Sequence, residues 1–135
     1  MRSISLLIAT TILASCTAAP PPPPPPPTPA AIHDYQRLID GKVAQAPVSC
    51  LPSYSGNDMI RIDGRTLGFR VGGGLSYVVH LSPGCEALTS PTYTLVSHQV
   101  GGSGLCRNDI ERVVDSSGFT VGSCTIDEVV PYARR

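Results

Sequence analysis

Eight consecutive prolines, Pro20 to Pro27, followed by Thr28 and Pro29, divide this chain before any other feature comes into play. Each proline fixes φ and lacks an amide donor, so neither a helix nor a sheet ladder forms across the run. The run predicts a polyproline II rod, rising about 3.1 Å per residue and spanning roughly 25 Å. A spacer is the expected role. A docking ligand for a proline-recognising module is the alternative, but such modules are mainly cytoplasmic. About a hundred of the 135 residues remain on the far side, enough for one small domain whose margin cross-links would help.

The segment before the prolines has the three parts of an export signal. Arg2 supplies a positive start, Ile4 to Leu13 are mostly apolar, and Leu13-Ala14-Ser15-Cys16 follows. The apolar stretch is shorter than the roughly 20 residues a membrane-spanning helix needs. The tetrapeptide resembles the bacterial lipobox: an aliphatic residue, two small residues and a cysteine. In that chemistry the thiol takes a diacylglyceryl group, a peptidase cuts before the cysteine, and the new amino terminus is acylated in turn. Two or three acyl chains hold firmly, at about 0.8 kcal/mol per buried methylene. Residues 1–16 are therefore expected to be a lipoprotein signal ending at a lipidated Cys16, residues 17–31 a proline-rich linker, and residues 32–135 the domain. Thr17, not Asp, follows the cysteine, which favours the outer membrane by resemblance to lipoprotein sorting in enterobacteria.

Cysteine parity points the same way. The five cysteines are Cys16, Cys50, Cys85, Cys106 and Cys124. Assigning Cys16 to lipid leaves four, enough for two disulfides in an oxidising periplasm. Charge excludes other partners. Ten Lys and Arg balance ten Asp and Glu, and the only basic cluster is Arg134-Arg135, so no surface for nucleic acid or for electrostatic membrane binding is expected.

The domain reads as mainly β. The chain has no Trp and two Phe, so its core rests on Val, Ile and Leu, which suit strands. Ala30 to Asp40 predict a short N-terminal helix, with Ile32, Tyr35 and Ile39 at helical spacing and Gly41 as its stop. From Met59 the period becomes two. Ile60 and Ile62, then Leu67, Phe69 and Val71, then Leu75, Tyr77, Val79 and Leu81 mark three strands separated by Asp63-Gly64 and Gly72-Gly73-Gly74. Further strands are expected at Thr92–His98, Asp109–Asp115 and Phe119–Cys124, with Ile126–Val130 as a short continuation ending before Pro131. Six short strands at this spacing predict a small antiparallel meander forming a barrel or sandwich.

Four cysteines allow three pairings. Cys50–Cys85 with Cys106–Cys124 is the expected one, because Cys106 and Cys124 bracket a hairpin. A barrel that joins its ends would use Cys50–Cys124 instead. Metal binding is disfavoured, since no C-x-x-C pair is present.

From Cys50 to Tyr132 the layout resembles a domain-of-unknown-function family of small exported bacterial proteins. The likeness rests on Pro47-Val48-Ser49-Cys50, on Leu81, Cys85 and Leu88, on Leu105-Cys106 followed by Asp109-Ile110, and on Cys124 before Val130-Pro131-Tyr132. The chain departs from that pattern at Cys85-Glu86-Ala87-Leu88 and at Thr125-Ile126-Asp127-Glu128. The resemblance implies a disulfide-bearing β domain and transfers no catalytic residue.

Chemistry-bearing motifs are sparse. His80 and His98 fall late in the third and fourth strands, and would approach each other if those strands paired; His33 falls in the helix. A metal would need a third ligand, and no acidic residue is placed to supply one, so both histidines are read as solvent-facing. Ser103 lacks the G-x-S-x-G context of a nucleophile, and the glycines at 72–74 and 101–104 match no phosphate-binding loop. Asp109 is expected to cap a loop by accepting backbone amides, and Asp127-Glu128 to charge a sheet edge. No catalytic, cofactor or metal residue is assigned. The expectation is a non-catalytic lipoprotein of the cell envelope, facing the periplasm and contacting a protein or cell-wall partner. The alternatives are an envelope enzyme or inhibitor acting through His80 and His98, and a small-ligand-binding barrel.

Overall fold

The computed structural model describes residues 19–20, 23, 25–52, 59–98 and 104–135. The expected signal and Cys16 lie outside the described residues, as do Ser103, Gly101 and Gly102.

Among the described residues one helix, α1 (Pro29–Ile39), precedes nine strands: β1 (Lys42–Ala44), β2 (Cys50–Leu51), β3 (Met59–Asp63), β4 (Thr66–Gly72), β5 (Leu75–Leu81), β6 (Thr94–His98), β7 (Leu105–Cys106), β8 (Ile110–Val114) and β9 (Thr120–Arg134). A 3-10 turn, Glu86–Thr89, lies between β5 and β6. Six strands run in the order β3-β4-β5-β9-β8-β6, β1 joins the same sheet through β9, and every pairing is antiparallel. The sheet is curled into a half-barrel.

β9 is the axis of this arrangement. Its 15 residues pair along one flank with β5, and along the other with β8, then Val48, then β1. The two segments expected at 119–124 and 126–130 are thus one strand, and it does not stop at Pro131. The carbonyl of Pro131 accepts from the Gln45 amide at 2.8 Å, on the flank away from β5. In an antiparallel strand the N–H and C=O of one residue face the same side, so the missing amide also faces that flank and the β5 ladder loses no bond.

Bulges supply the curl. His80 opposes Glu128 while Leu81 opposes Ile126, which leaves Asp127 as an extra residue and turns both Ile126 and Val129 inward. Asp127 and Glu128 therefore sit in the central strand, not at the edge expected for them. The inner face carries Leu67, Phe69, Tyr77, Val79, Leu81, Val113, Ile126 and Val129, and the β2–β7 ribbon closes over it with Leu51 and Leu105. Each such fully buried side chain contributes about 1.5–3 kcal/mol relative to exposure.

The cystine pairing differs from the expected one. Cys50 bonds Cys106, and Cys85 bonds Cys124. Cys50 lies directly opposite Cys106 across the β2–β7 ribbon. Neither strand is visible as a hydrophobic pattern, because each is only two residues long. Cys85 meets Cys124 because the turn after β5 crosses β9. There the backbones of Gly84 and Gly122 touch: a Cβ at Gly84 would strike the Ser123 carbonyl oxygen, and one at Gly122 the Gly84 carbonyl oxygen.

Helix α1 flanks the outer face. Thr28 caps it, its Oγ1 accepting from the Ala31 amide at 3.2 Å, and Pro29 occupies the first turn, where its missing amide does no harm. Leu38 is fully buried against Gly68 on β4, where a side chain would collide with it. No described helix is long and apolar enough to cross a membrane.

Candidate functional site

The outer face of β6, β8 and β9 holds most of the large apolar side chains left in water. β8 alternates strictly: Glu111 and Val113 point inward, Ile110 and Arg112 outward. Across it, Val96 of β6 opposes Arg112, and His98 opposes Ile110. Val96 is 46% exposed and Ile110 51%. Val121 joins them on β9, pushed out as the extra residue between Val113↔Gly122 and Val114↔Thr120. β6 is also a sheet edge: among the described residues it pairs with β8 alone, leaving its other row of backbone donors and acceptors open.

Phe119, in the turn that leads from β8 into β9, is exposed and held in place. Asp115 Oδ1 accepts from the Ser117 amide at 2.9 Å, the Ser117 hydroxyl at 2.6 Å and the Phe119 amide at 2.9 Å. The Asp115 amide in turn donates to the Phe119 carbonyl at 3.0 Å. The Ser117 hydroxyl first, then the Phe119 amide, hold the Asp115 carboxyl below its ordinary range. A fixed turn thus presents an aromatic ring that is 70% exposed.

Inside the half-barrel, Glu111 is fully buried. Ser97 Oγ donates to its Oε1 at 2.8 Å, while Oε2 has no partner among the described residues. Burial, helped by the nearby charge of Asp109, pushes its carboxyl upward against the Ser97 bond. Alternation with Val113 along β8 is the sequence signal that places Glu111 on the inner face.

The residues singled out earlier are dispersed. His80 on β5 and His98 on β6 belong to strands that do not pair, with β9 and β8 between them. At about 4.8 Å per strand they stand on the order of 14 Å apart, so the approach their joint role required is absent. His80 lies between Thr66 and Glu128, and His33 is an exposed helix residue 4.0 Å from Asp34. Asp109 does cap its loop, accepting from the Cys106 amide at 2.8 Å. Among the described residues no group of three or more His, Cys, Asp or Glu is gathered as a metal site needs. All four domain cysteines are in disulfides.

Compared with known proteins, the chain matches no family model, no curated protein and no solved structure.

Proposed function

We propose that this chain is a non-catalytic interaction module of the bacterial cell envelope, lipid-anchored through Cys16, facing the periplasm from the outer membrane and lifted from the bilayer by its proline stalk. The observation that carries the interaction reading is the open edge of β6 beside the exposed Val96, Ile110 and Val121. An extended segment of a protein partner adds to such an edge through main-chain bonds, and alternate side chains find the apolar strip. The two disulfides suit an oxidising compartment, and the lipobox at Leu13–Cys16 supplies the anchor. The likeness to small exported proteins of unknown function agrees with this location and adds no activity.

A photo-crosslinking amino acid at Val96, tested in living cells against one at Gln36 on the exposed helix face, separates the outcomes. A discrete adduct at Val96, absent at Gln36 and lost on Ile110→Asp, supports the reading. Equal labelling at both positions sinks it. Mass spectrometry of the native N-terminal peptide tests the anchor independently.

A further inference from the structure

The far end of the sheet's outer face, away from the apolar strip, concentrates positive charge. β1 and β9 set Lys42 directly opposite Arg134. Arg70 of β4, Ser76 of β5 and Tyr132 of β9 form the adjoining row on the same face. Lys42 is drawn over that row, its Nζ donating to Ser76 Oγ at 2.5 Å and to the Leu38 carbonyl at 2.7 Å. Ser76 Oγ also donates to the Leu38 carbonyl at 3.1 Å, so the ammonium position is braced from helix and sheet together. The stem of Arg134 lies over Gly74, whose added Cβ would stand 3.4 Å from Arg134 Cδ.

Like charges facing each other across an antiparallel pair are destabilising. Neither Lys42 nor Arg134 forms an ion pair among the described residues. The ion pairs among described residues are His33–Asp34, Arg37–Asp34 and Arg65–Glu86. Arg70 and Arg134 make no hydrogen bond or ion pair with a described residue, and Lys42 keeps one of its three N–H donors beyond the two bonds above. Asp40, at the helix C-cap, is the one carboxylate that favours the Lys42 charge, and it opposes three cations. Burial, then Arg134 and Arg70, pull the Lys42 ammonium below its ordinary range. In a chain with ten basic and ten acidic residues, this corner is a local excess and not a reflection of overall charge.

We infer that Lys42, Arg70 and Arg134 form a binding site for a phosphate group. Two guanidinium forks and a braced ammonium need an acceptor with several oxygens and more than one charge; a phosphate supplies both, whereas a single carboxylate supplies one charge and two oxygens. The group can arrive as free phosphate or as the headgroup of an anionic lipid, and the chemistry of the site is the same. The inference does not depend on the strand-edge reading, since it uses the opposite end of the sheet.

The test uses the full chain, isotopically labelled and titrated with sodium phosphate against sodium chloride at equal ionic strength. In a second arm, vesicles of phosphatidylcholine with or without phosphatidic acid replace the salt. The companion is the double variant Arg70→Gln, Arg134→Gln, whose substituted side chains are exposed; thermal melting checks that it folds. The expected result is saturable amide shifts confined to Val43, Arg70, Gly74 and Arg134, with affinity falling at least tenfold in the double variant. Binding in the salt arm assigns a small phosphate, and binding confined to phosphatidic acid vesicles assigns a headgroup. Absence of saturable shifts in both arms, or shifts spread over all arginines and unchanged in the variant, overturns the inference.

Discussion

Ser97 on β6 and Glu111 on β8 oppose each other across the strand pair, and the serine hydroxyl gives the buried carboxyl the one hydrogen bond it has among described residues, at 2.8 Å. Because burial raises the folded-state pKa of Glu111, the folded chain binds its proton more tightly than the unfolded chain does. The contribution of Glu111 to stability is therefore complete below the unfolded value of about 4.3, and is lost as pH rises through the folded value. Glu111→Gln keeps the acceptor for Ser97 and removes the ionisation. It should raise stability at neutral pH by on the order of 1–3 kcal/mol and flatten that pH dependence, as read from urea midpoints between pH 4 and pH 8. A variant with the parent's pH profile would show that this carboxyl is not responsible.

The two disulfides differ in exposure more than in loop length. Their separations of 56 and 39 residues imply about 4 kcal/mol each in the chain-entropy account, too close to distinguish. Cys50 is exposed and Cys106 half-buried, whereas Cys85 and Cys124 are in the core. A graded reductant should open Cys50–Cys106 first and leave Cys85–Cys124 intact until the domain unfolds. Timed alkylation followed by peptide mass mapping checks both the pairing and the order.

Gly84→Ala should cost at least about 2 kcal/mol, since its new Cβ meets the Ser123 backbone and its φ of +119° is strained for any side chain. Gly73→Ala, where the space is open and only a φ of +60° opposes the change, should cost about 1 kcal/mol. Equal losses in chemical denaturation would remove the close backbone crossing as the explanation.

The turn that presents Phe119 should be pH-sensitive in the opposite sense to Glu111. A depressed Asp115 pKa means that its contribution is complete above the unfolded value of about 3.9 and is lost as pH falls through the folded value. Amide exchange at Ser117 and Phe119 should quicken there. Asp115→Ala should show the quick exchange at every pH.

Local pattern made the sheet-forming residues legible. The period-two runs around Leu67 and Tyr77 locate β4 and β5 with their inner faces, because alternation is a property of adjacent residues. Pairing at a distance was not legible. β2 and β7 carry no periodicity, Asp127 shifts the phase of β9, and His80 and His98 part because β9 inserts between β5 and β8.

The order of residues alone determined a mainly β domain following a run of eight prolines, its short helix, its turns and a supply of cysteines for two cross-links, since each follows from composition, backbone allowance or local alternation. Tertiary structure decided which cysteines meet, which carboxyl is buried at Glu111, and that Lys42 lies directly opposite Arg134 with Arg70 opposite Ser76. Those outcomes depend on strand order and bulge position. Both are set by how the whole sheet closes over its core, and no short stretch of sequence carries that information.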